Sequence, residues 1–228
     1  MRTRRQRPRT VSSTSFIETS GRPIFSKARR LDSKKLNIAK REFQHLEKLG
    51  IVRHSTSPWA SPLNMVPKPG GGWWSCGDYR HLNQITTPDR YLLPNMQDLA
   101  NHLHSATVFS KLDLVKGYHQ VPVAEADKAK ATIITPFGLF EYNFMPFGLR
   151  NASQKFQRLI DQNFQDLSFC FPFADDNLVG SVTAAAILSI SGRFFRLWRS
   201  AALPSTLPSA SLGSPPSLSS GTRYPPAA

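Results

Sequence analysis

Phe169-Cys170-Phe171-Pro172-Phe173-Ala174-Asp175-Asp176-Asn177-Leu178-Val179-Gly180 reads as two short apolar strands around a carboxylate pair, a hairpin whose only charges sit at its tip. It holds the single Asp-Asp pair among ten aspartates. Adjacent carboxylates repel each other and lose hydration on burial, so a hairpin of this kind calls for a compensating cation. A third carboxylate, Asp113, lies in a similar apolar frame, Thr107-Val-Phe-Ser-Lys-Leu-Asp113-Leu-Val-Lys-Gly-Tyr118. One Asp leaving a strand, with an Asp-Asp on a hairpin, is an oxygen-ligand set suited to paired Mg²⁺ ions and phosphoryl transfer. Taken without the rest of the chain, Asp175-Asp176 reads rather as a polar turn.

Working outward, the pattern predicts strands and helices mixed without a strict βαβ repeat, which is an α+β domain. Asp32 caps a helix running to about Leu49, with Leu36, Ala39, Phe43, Leu46 and Leu49 on one face and Gly50 as its stop. The prolines of Ser55-Thr-Ser-Pro-Trp-Ala-Ser-Pro62 make that stretch extended. Leu63 to Pro67 and Trp73 to Tyr79 form a hairpin around Gly70-Gly71-Gly72. Asn95 caps a short helix with Met96, Leu99 and Leu103 inward, and Val108 to Leu114 alternates as a half-buried strand. Ala131 to Ile134 and Leu139 to Phe144 make a second hairpin. Asn151 caps a helix striped by Phe156, Leu159, Ile160 and Phe164.

The 228-residue chain carries 29 Lys and Arg against 15 Asp and Glu, a net charge of +14. Such an excess suits nucleic acid or another polyanion as partner and, taken by itself, equally a generically basic protein; its distribution decides between them. Its distribution is uneven: residues 1–90 hold 18 basic and 6 acidic residues, whereas residues 91–182 hold 7 and 9. A basic flank beside an acidic centre suits a protein that grips phosphates while carboxylates hold metal. Two cysteines, Cys76 and Cys170, make neither a metal motif nor a disulfide framework and fit a reducing intracellular compartment, cytoplasmic or nuclear. No apolar run reaches the ~20 residues of a membrane span. Residues 1–15 read as a basic disordered tail. After Thr183, ten Ser, eight Ala and six Pro with no Lys, Asp or Glu read as a low-complexity tail over 183–228.

Six blocks in order then carry a close resemblance to the reverse transcriptase of gypsy-like long-terminal-repeat retrotransposons, over roughly residues 16–182. They are Ile17-Glu-Thr-Ser-Gly21, Ser57-Pro-Trp-Ala-Ser-Pro-Leu63, Cys76-Gly-Asp-Tyr-Arg-His-Leu-Asn83, Phe109-Ser-Lys-Leu-Asp-Leu-Val-Lys-Gly-Tyr-His-Gln120, Thr135-Pro-Phe-Gly-Leu-Phe-Glu-Tyr142 and Met145-Pro-Phe-Gly-Leu-Arg-Asn-Ala152. The resemblance implies a right-hand polymerase fold with fingers and an incomplete palm. It implies an RNA template, a DNA primer and deoxynucleoside triphosphates as partners, and a virus-like particle as the setting of the parent element. Asp113, Asp175 and Asp176 would hold two Mg²⁺ ions. Tyr118 would lie under the incoming sugar and exclude a 2′ hydroxyl, Phe147 and Gly148 would pack on the nucleotide, and Lys68 and Arg80 would be basic finger positions, with Lys68 the better triphosphate contact. The plainer readings are a core tyrosine, a core phenylalanine and solvated surface charges.

The chain also departs from the family's pattern. Phe173 stands where Tyr usually begins the aspartate hairpin, Asn177 replaces an apolar residue, and Trp74 replaces an Arg that contacts nucleotide phosphate. Pro172 removes a backbone donor beside the pair. No thumb or RNase H pattern follows residue 183. These departures predict an impaired or inactive polymerase fragment. The alternative readings are a non-catalytic module that binds nucleic acid through its basic half, and a decayed element product with no stable fold.

Overall fold

The structure, a computed structural model, describes residues 18–95, 98, 105–113, 117–164, 167–173, 176–183, 186, 189 and 190, with the backbone alone at 111–113, 172, 173 and 176. Helix α1 (Ser33–Lys48) begins where the Asp32 carboxylate accepts the Lys35 N–H at 2.8 Å. It ends in a Schellman motif: Ile51 N–H donates to Leu46 C=O, Gly50 N–H donates to Glu47 C=O, and Gly50 takes φ 68°. The predicted apolar stripe is the buried face, with Ala39, Phe43 and Leu46 fully enclosed and Leu36 and Leu49 half-buried. Phe43 meets Phe137 edge-on at 5.7 Å and Phe140 at 4.9 Å. Burying one such ring contributes about 1.5–3 kcal/mol.

The strands that follow are β1 (Val52–His54), β2 (Ser61–Pro67) and β3 (Trp73–Gly77). Helix α2 (Arg80–Ile85) precedes β4 (Val108–Asp113), a 3₁₀ turn (Gly117–Gln120) and the short helix α3 (Glu125–Lys128). Then come β5 (Ile133–Thr135), β6 (Gly138–Tyr142), α4 (Ala152–Phe164), β7 (Cys170–Phe173) and β8 (Asp176–Ser181). The first sheet has the order β1-β6-β5-β2-β3, antiparallel except for the parallel pair β2 and β5; the second has the order β4-β8-β7 and is antiparallel throughout.

Both predicted hairpins form, β2–β3 with Val66 opposite Trp74 and β5–β6 with Ile133 opposite Phe140. The return strand of the first stops at Gly77, two residues short of its predicted end, because Tyr79 turns inward and starts α2. Phe156, Ile160 and Phe164 of α4 are buried as the stripe predicts. The helix predicted after Asn95 falls mostly outside the described residues. Asp113 closes β4, so the predicted extension to Leu114 also falls outside them.

A strap over 87–91 ties the chain between the sheets onto α4. Asn151 binds Thr87 C=O and Asp89 N–H, Arg158 grips both Asp89 oxygens at 2.9 and 3.0 Å, and the Tyr91 hydroxyl donates to Asp161 at 2.6 Å. That last bond, with burial, pushes the Tyr91 phenol up to about 12.

Tyr79 is buried, its hydroxyl donating to Ala131 C=O at 3.0 Å. Its ring fills the space a side chain at 77 would need: a Cβ on Gly77 would sit 2.5 Å from the Tyr79 ring and 2.8 Å from Ile133. Gly77→Ala is therefore expected to destabilise the fold by about 1–3 kcal/mol, the usual cost of overpacking. Urea unfolding measures it, and an unchanged midpoint would refute this packing.

Candidate active site

The central strand of the second sheet is the one that leaves the aspartate pair. Strand β8 pairs with β4 so that Asp176 stands opposite Asp113, and with β7 so that it also stands opposite Phe173. Gly180 N–H donates to Phe169 C=O at 2.8 Å. Backbone groups of 180, 178 and 176 therefore turn towards β7, and those of 181, 179 and 177 turn towards β4. Asp113 and Asp176 then form a non-hydrogen-bonded pair, the class with the closer Cα approach of roughly 4.5 Å. Asp175 lies outside the described residues.

A divalent metal calls for several oxygen ligands held close together. Two carboxylate-bearing residues from distant parts of the sequence occupy one rung, next to a third carboxylate in sequence, and an all-oxygen donor set suits Mg²⁺. Among the described residues, no group of three His, Cys, Asp or Glu side chains could hold a metal ion.

The same alternation resolves Pro172. Strand β7 is an edge of the sheet among the described residues, and Pro172 stands opposite Asn177 in a non-hydrogen-bonded pair. Its nitrogen therefore points away from β8, where no ladder donor is required. The predicted loss of a central hydrogen bond does not arise. Asn177 itself is fully buried, opposite Leu112.

A second cluster gathers Tyr118, Phe147 and Gly148. Tyr118, in the 3₁₀ turn that follows β4, lies edge-on to Phe147 at 4.9 Å and to Phe156 of α4 at 5.0 Å. Its hydroxyl lies 3.2 Å from Ser153 Oγ. Phe147 also meets His119 at 5.5 Å yet leaves 42 % of its surface open, so this ring faces solvent from a fixed base. Gly148 has φ 93°, a conformation that a side chain would strain.

The loop is latched by Asn83, whose Nδ2 donates to Gly148 C=O at 2.9 Å while its Oδ1 accepts the Arg150 N–H at 2.8 Å. The Arg150 guanidinium returns to Asn83 C=O at 2.9 Å and Thr86 C=O at 3.3 Å. The sequence reading did not single out Asn83 or Arg150. Both lie inside the quoted blocks Cys76–Asn83 and Met145–Ala152, which was the available signal.

Lys68 and Arg80 differ in occupation. Lys68 is exposed at the end of β2, its Nζ 5.8 Å from the centre of the Trp74 ring. Arg80 is engaged: Nε and Nη2 reach the two Asp78 oxygens at 2.8 and 2.6 Å. Arg29 also binds Asp78 and reaches Asn64 Oδ1 at 3.0 Å. Arg80, and then Arg29, hold the Asp78 carboxyl well below the ordinary carboxylate range, against the opposing effect of burial. No described helix is long and apolar enough to cross a membrane.

Residues 66–203 match the family described as reverse transcriptase (RNA-dependent DNA polymerase), and the chain belongs to that family. It is 36 % identical over 172 residues to the retrovirus-related Pol polyprotein from transposon 297 of Drosophila melanogaster, covering 72 % of this chain and 16 % of the relative. The corresponding polyprotein from transposon gypsy of the same fly is 34 % identical over 183 residues, covering 76 % of this chain and 18 % of the relative. The chain thus spans less than a fifth of these curated relatives. An RNA-directed DNA polymerase homolog of Oenothera berteroana is 39 % identical over 109 residues, 47 % of this chain and 77 % of the relative. The fold resembles a foamy viral protease-reverse transcriptase in complex with RNA/DNA hybrid, with a TM-score of 0.75 at 18 % identity over 82 % of this chain and 26 % of that one. A second foamy viral structure, in complex with double-stranded DNA, gives 0.77 at 18 % identity over 84 % of this chain and 34 % of that one.

The Asp78 arrangement has a pH consequence. A carboxyl whose folded value is depressed adds stability that is fully present above its unfolded value of about 3.9 and disappears as pH falls towards the folded one. Wild-type protein is expected to lose more stability than Asp78→Asn below about pH 4. Urea midpoints across that range measure the difference, and parallel profiles would count against the arginine pairing.

Proposed function

We propose that this chain is the fingers and part of the palm of an RNA-directed DNA polymerase, acting by nucleotidyl transfer with an RNA template, a DNA primer and deoxynucleoside triphosphates. The observation that carries the reading is the rung shared by Asp113 and Asp176 in a chain of the reverse transcriptase family.

Asp113, Asp175 and Asp176 are the residues that would hold two Mg²⁺ ions. When bound, such ions activate the primer 3′ hydroxyl and stabilise the departing pyrophosphate. The 3′ oxygen bonds to the α-phosphorus, the α–β phosphoanhydride breaks, and the hydroxyl proton is released. Tyr118 supports the incoming sugar with its ring and leaves no room for a 2′ hydroxyl. Its T-shaped contacts with Phe147 and Phe156 fix the ring's position. Phe147 and Gly148 pack on the nucleotide from the loop that Asn83 latches. Lys68 contacts the triphosphate, while Arg80 stands at the border of this surface and acts through Asp78.

Polymerisation by this chain is impaired, and the reasons lie inside the described segment. Trp74 supplies no charge where a guanidinium would hold phosphate. Phe173 lacks a hydroxyl at the rung of Asp176. Asn177 places an amide in the buried centre of the second sheet.

Primer extension on an RNA template with Mg²⁺ tests this function. Slow incorporation is expected that falls to background in Asp113→Asn and rises when Trp74→Arg and Phe173→Tyr are combined. Incorporation indifferent to Asp113→Asn would overturn the metal assignment. No incorporation in the doubly restored variant, with salt-sensitive binding unaffected by replacing the three aspartates, would establish a non-catalytic binding module instead.

A further inference from the structure

Helix α1 carries a second stripe besides its apolar one. At 3.6 residues per turn, Lys34, Asn37, Arg41, Gln44 and Lys48 recur every three or four positions and form one straight row. All five side chains are exposed, and the row lies across the helix from Ala39, Phe43 and Leu46, which face the first sheet. From Lys34 to Lys48 it extends about 21 Å. Lys40 and His45 flank it and are exposed as well. The row contains no acid, and among the described residues no carboxylate pairs with Lys34, Lys40, Arg41 or Lys48. The nearby acids are engaged elsewhere: Asp32 with Lys35 at 3.0 Å and Glu47 with His54 at 3.5 Å, while Glu42 is half-buried and turned away from the row.

This pattern makes α1 less stable than it could be. Asn37 and Gln44 occupy the positions from which Glu would pair with Arg41 and Lys48 at i,i+4, and amides stand there instead. The first turn holds Lys34 and Lys35 and no acid, the unfavourable sign for the positive end of the helix dipole. Packing does not require either choice, because none of the five side chains is enclosed. A polyanion laid along the row would relieve both.

The chemistry of the row selects among polyanions. A membrane surface would need the apolar face of the helix, which is already buried against the sheet. A protein interface is built around an apolar centre, and the row has none. A sugar–phosphate backbone needs cations for its phosphates and amides to hydrogen-bond its oxygens, which is what the row alternates. We propose that this face of α1 is a docking surface for the backbone of a single-stranded nucleic acid, separate from the nucleotide region. Trp73 lies under Lys35 on the α1 side of the β2–β3 ribbon, its ring centre 4.5 Å from Nζ, whereas its strand neighbour Trp74, with Lys68 beside it, faces the other way. A helix ~10–12 Å across, and the sheet beneath it, therefore stand between the row and Lys68. The surface goes beyond the polymerase reading and does not rest on it, because it needs neither metal, nucleotide nor catalysis.

Binding of a labelled oligouridylate to the full chain, followed by fluorescence anisotropy with EDTA present and across a range of salt, tests the surface. Combining Lys34→Gln, Arg41→Gln and Lys48→Gln is expected to lower the slope of log affinity against log salt by about two, three contacts at ~0.7 each on a single strand. Combining Lys34→Arg and Lys48→Arg is expected to leave the slope unchanged. A further variant, Asn37→Glu with Gln44→Glu, keeps all three cations but pairs Arg41 and Lys48 within the helix. It is expected to bind about tenfold more weakly while its urea midpoint stays at or above that of wild type, which separates lost docking from lost folding. With 4-thiouridine in the oligomer, photo-crosslinks mapped by mass spectrometry are expected within residues 34–48. An unchanged slope in the triple Gln variant, or crosslinks confined to other segments, would overturn the proposal. So would loss of binding to an oligoglutamate, in place of the oligouridylate, in the triple variant, which would assign the row to an acidic protein. Because no metal is present, failure of primer extension leaves this result standing, and failure of the row leaves the polymerase reading standing.

Discussion

The burial of one phenol ring holds the first sheet to the loop that carries Phe147 and Gly148. Tyr79 leaves β3 where the strand ends, and its ring occupies the space above Gly77, next to Ile133 of β5. The same ring borders Gly148, where a Cβ would lie 3.6 Å from it, and its hydroxyl satisfies Ala131 C=O. One glycine and one carbonyl are thus specified by a single side chain, while the φ of 93° at Gly148 asks for glycine independently. Burial drives the phenol's ionisation far above its ordinary range, so the joint stays neutral and hydrogen-bonded across physiological pH.

Around that joint the polar contacts are mostly backbone-directed. Asn83 reads Gly148 C=O and Arg150 N–H, and Asn151 reads Thr87 C=O and Asp89 N–H. Side chains that bind backbone groups fix the path of a loop without depending on another side chain's rotamer. The loop between β6 and α4 therefore stays in place without regular structure, and Phe147 can present an open ring from a rigid support. The second sheet contributes a different kind of precision. Strand β8 is central, so the position of Asp176 is set twice, once against Asp113 and once against Phe173.

Sequence periodicity disclosed the elements whose contacts are local. Asp32 and Gly50 bracket α1 because a cap and a left-handed stop act within a few residues, and the two hairpins follow from alternation beside turn residues. The carboxylates Asp113 and Asp176 were also legible as chemistry. Their shared rung was not, because a slip of one residue preserves composition while moving every side chain to the other face. The parallel pairing of Ser61 with Ile133 joins residues 72 apart, which no local pattern encodes. Helix α2 was hidden because Trp73 to Tyr79 continues to alternate past the point where the strand stops. The 87–91 strap owes its path to side chains of α4 that a reader of Pro88 and Pro94 alone has no reason to connect with it.

Charge is where sequence and structure separate most clearly. A count treats every arginine alike, but the fold assigns many of them. Arg53 bridges Glu125 and Glu141, Arg158 and Lys155 meet Asp89, and Lys130 meets the buried Asp127. Arg80 resembles a ligand-binding finger residue by position yet is held by a carboxylate two residues away, at the geometry of a bidentate pair. For Arg80 to reach a phosphate it would have to leave Asp78 with Arg29 alone, weakening the contact that depresses that carboxyl. Lys68 carries no such obligation among the described residues. Among the described residues the β2–β3 hairpin carries one cation, Lys68, beside an indole, Trp74, that leaves half of its surface open to solvent.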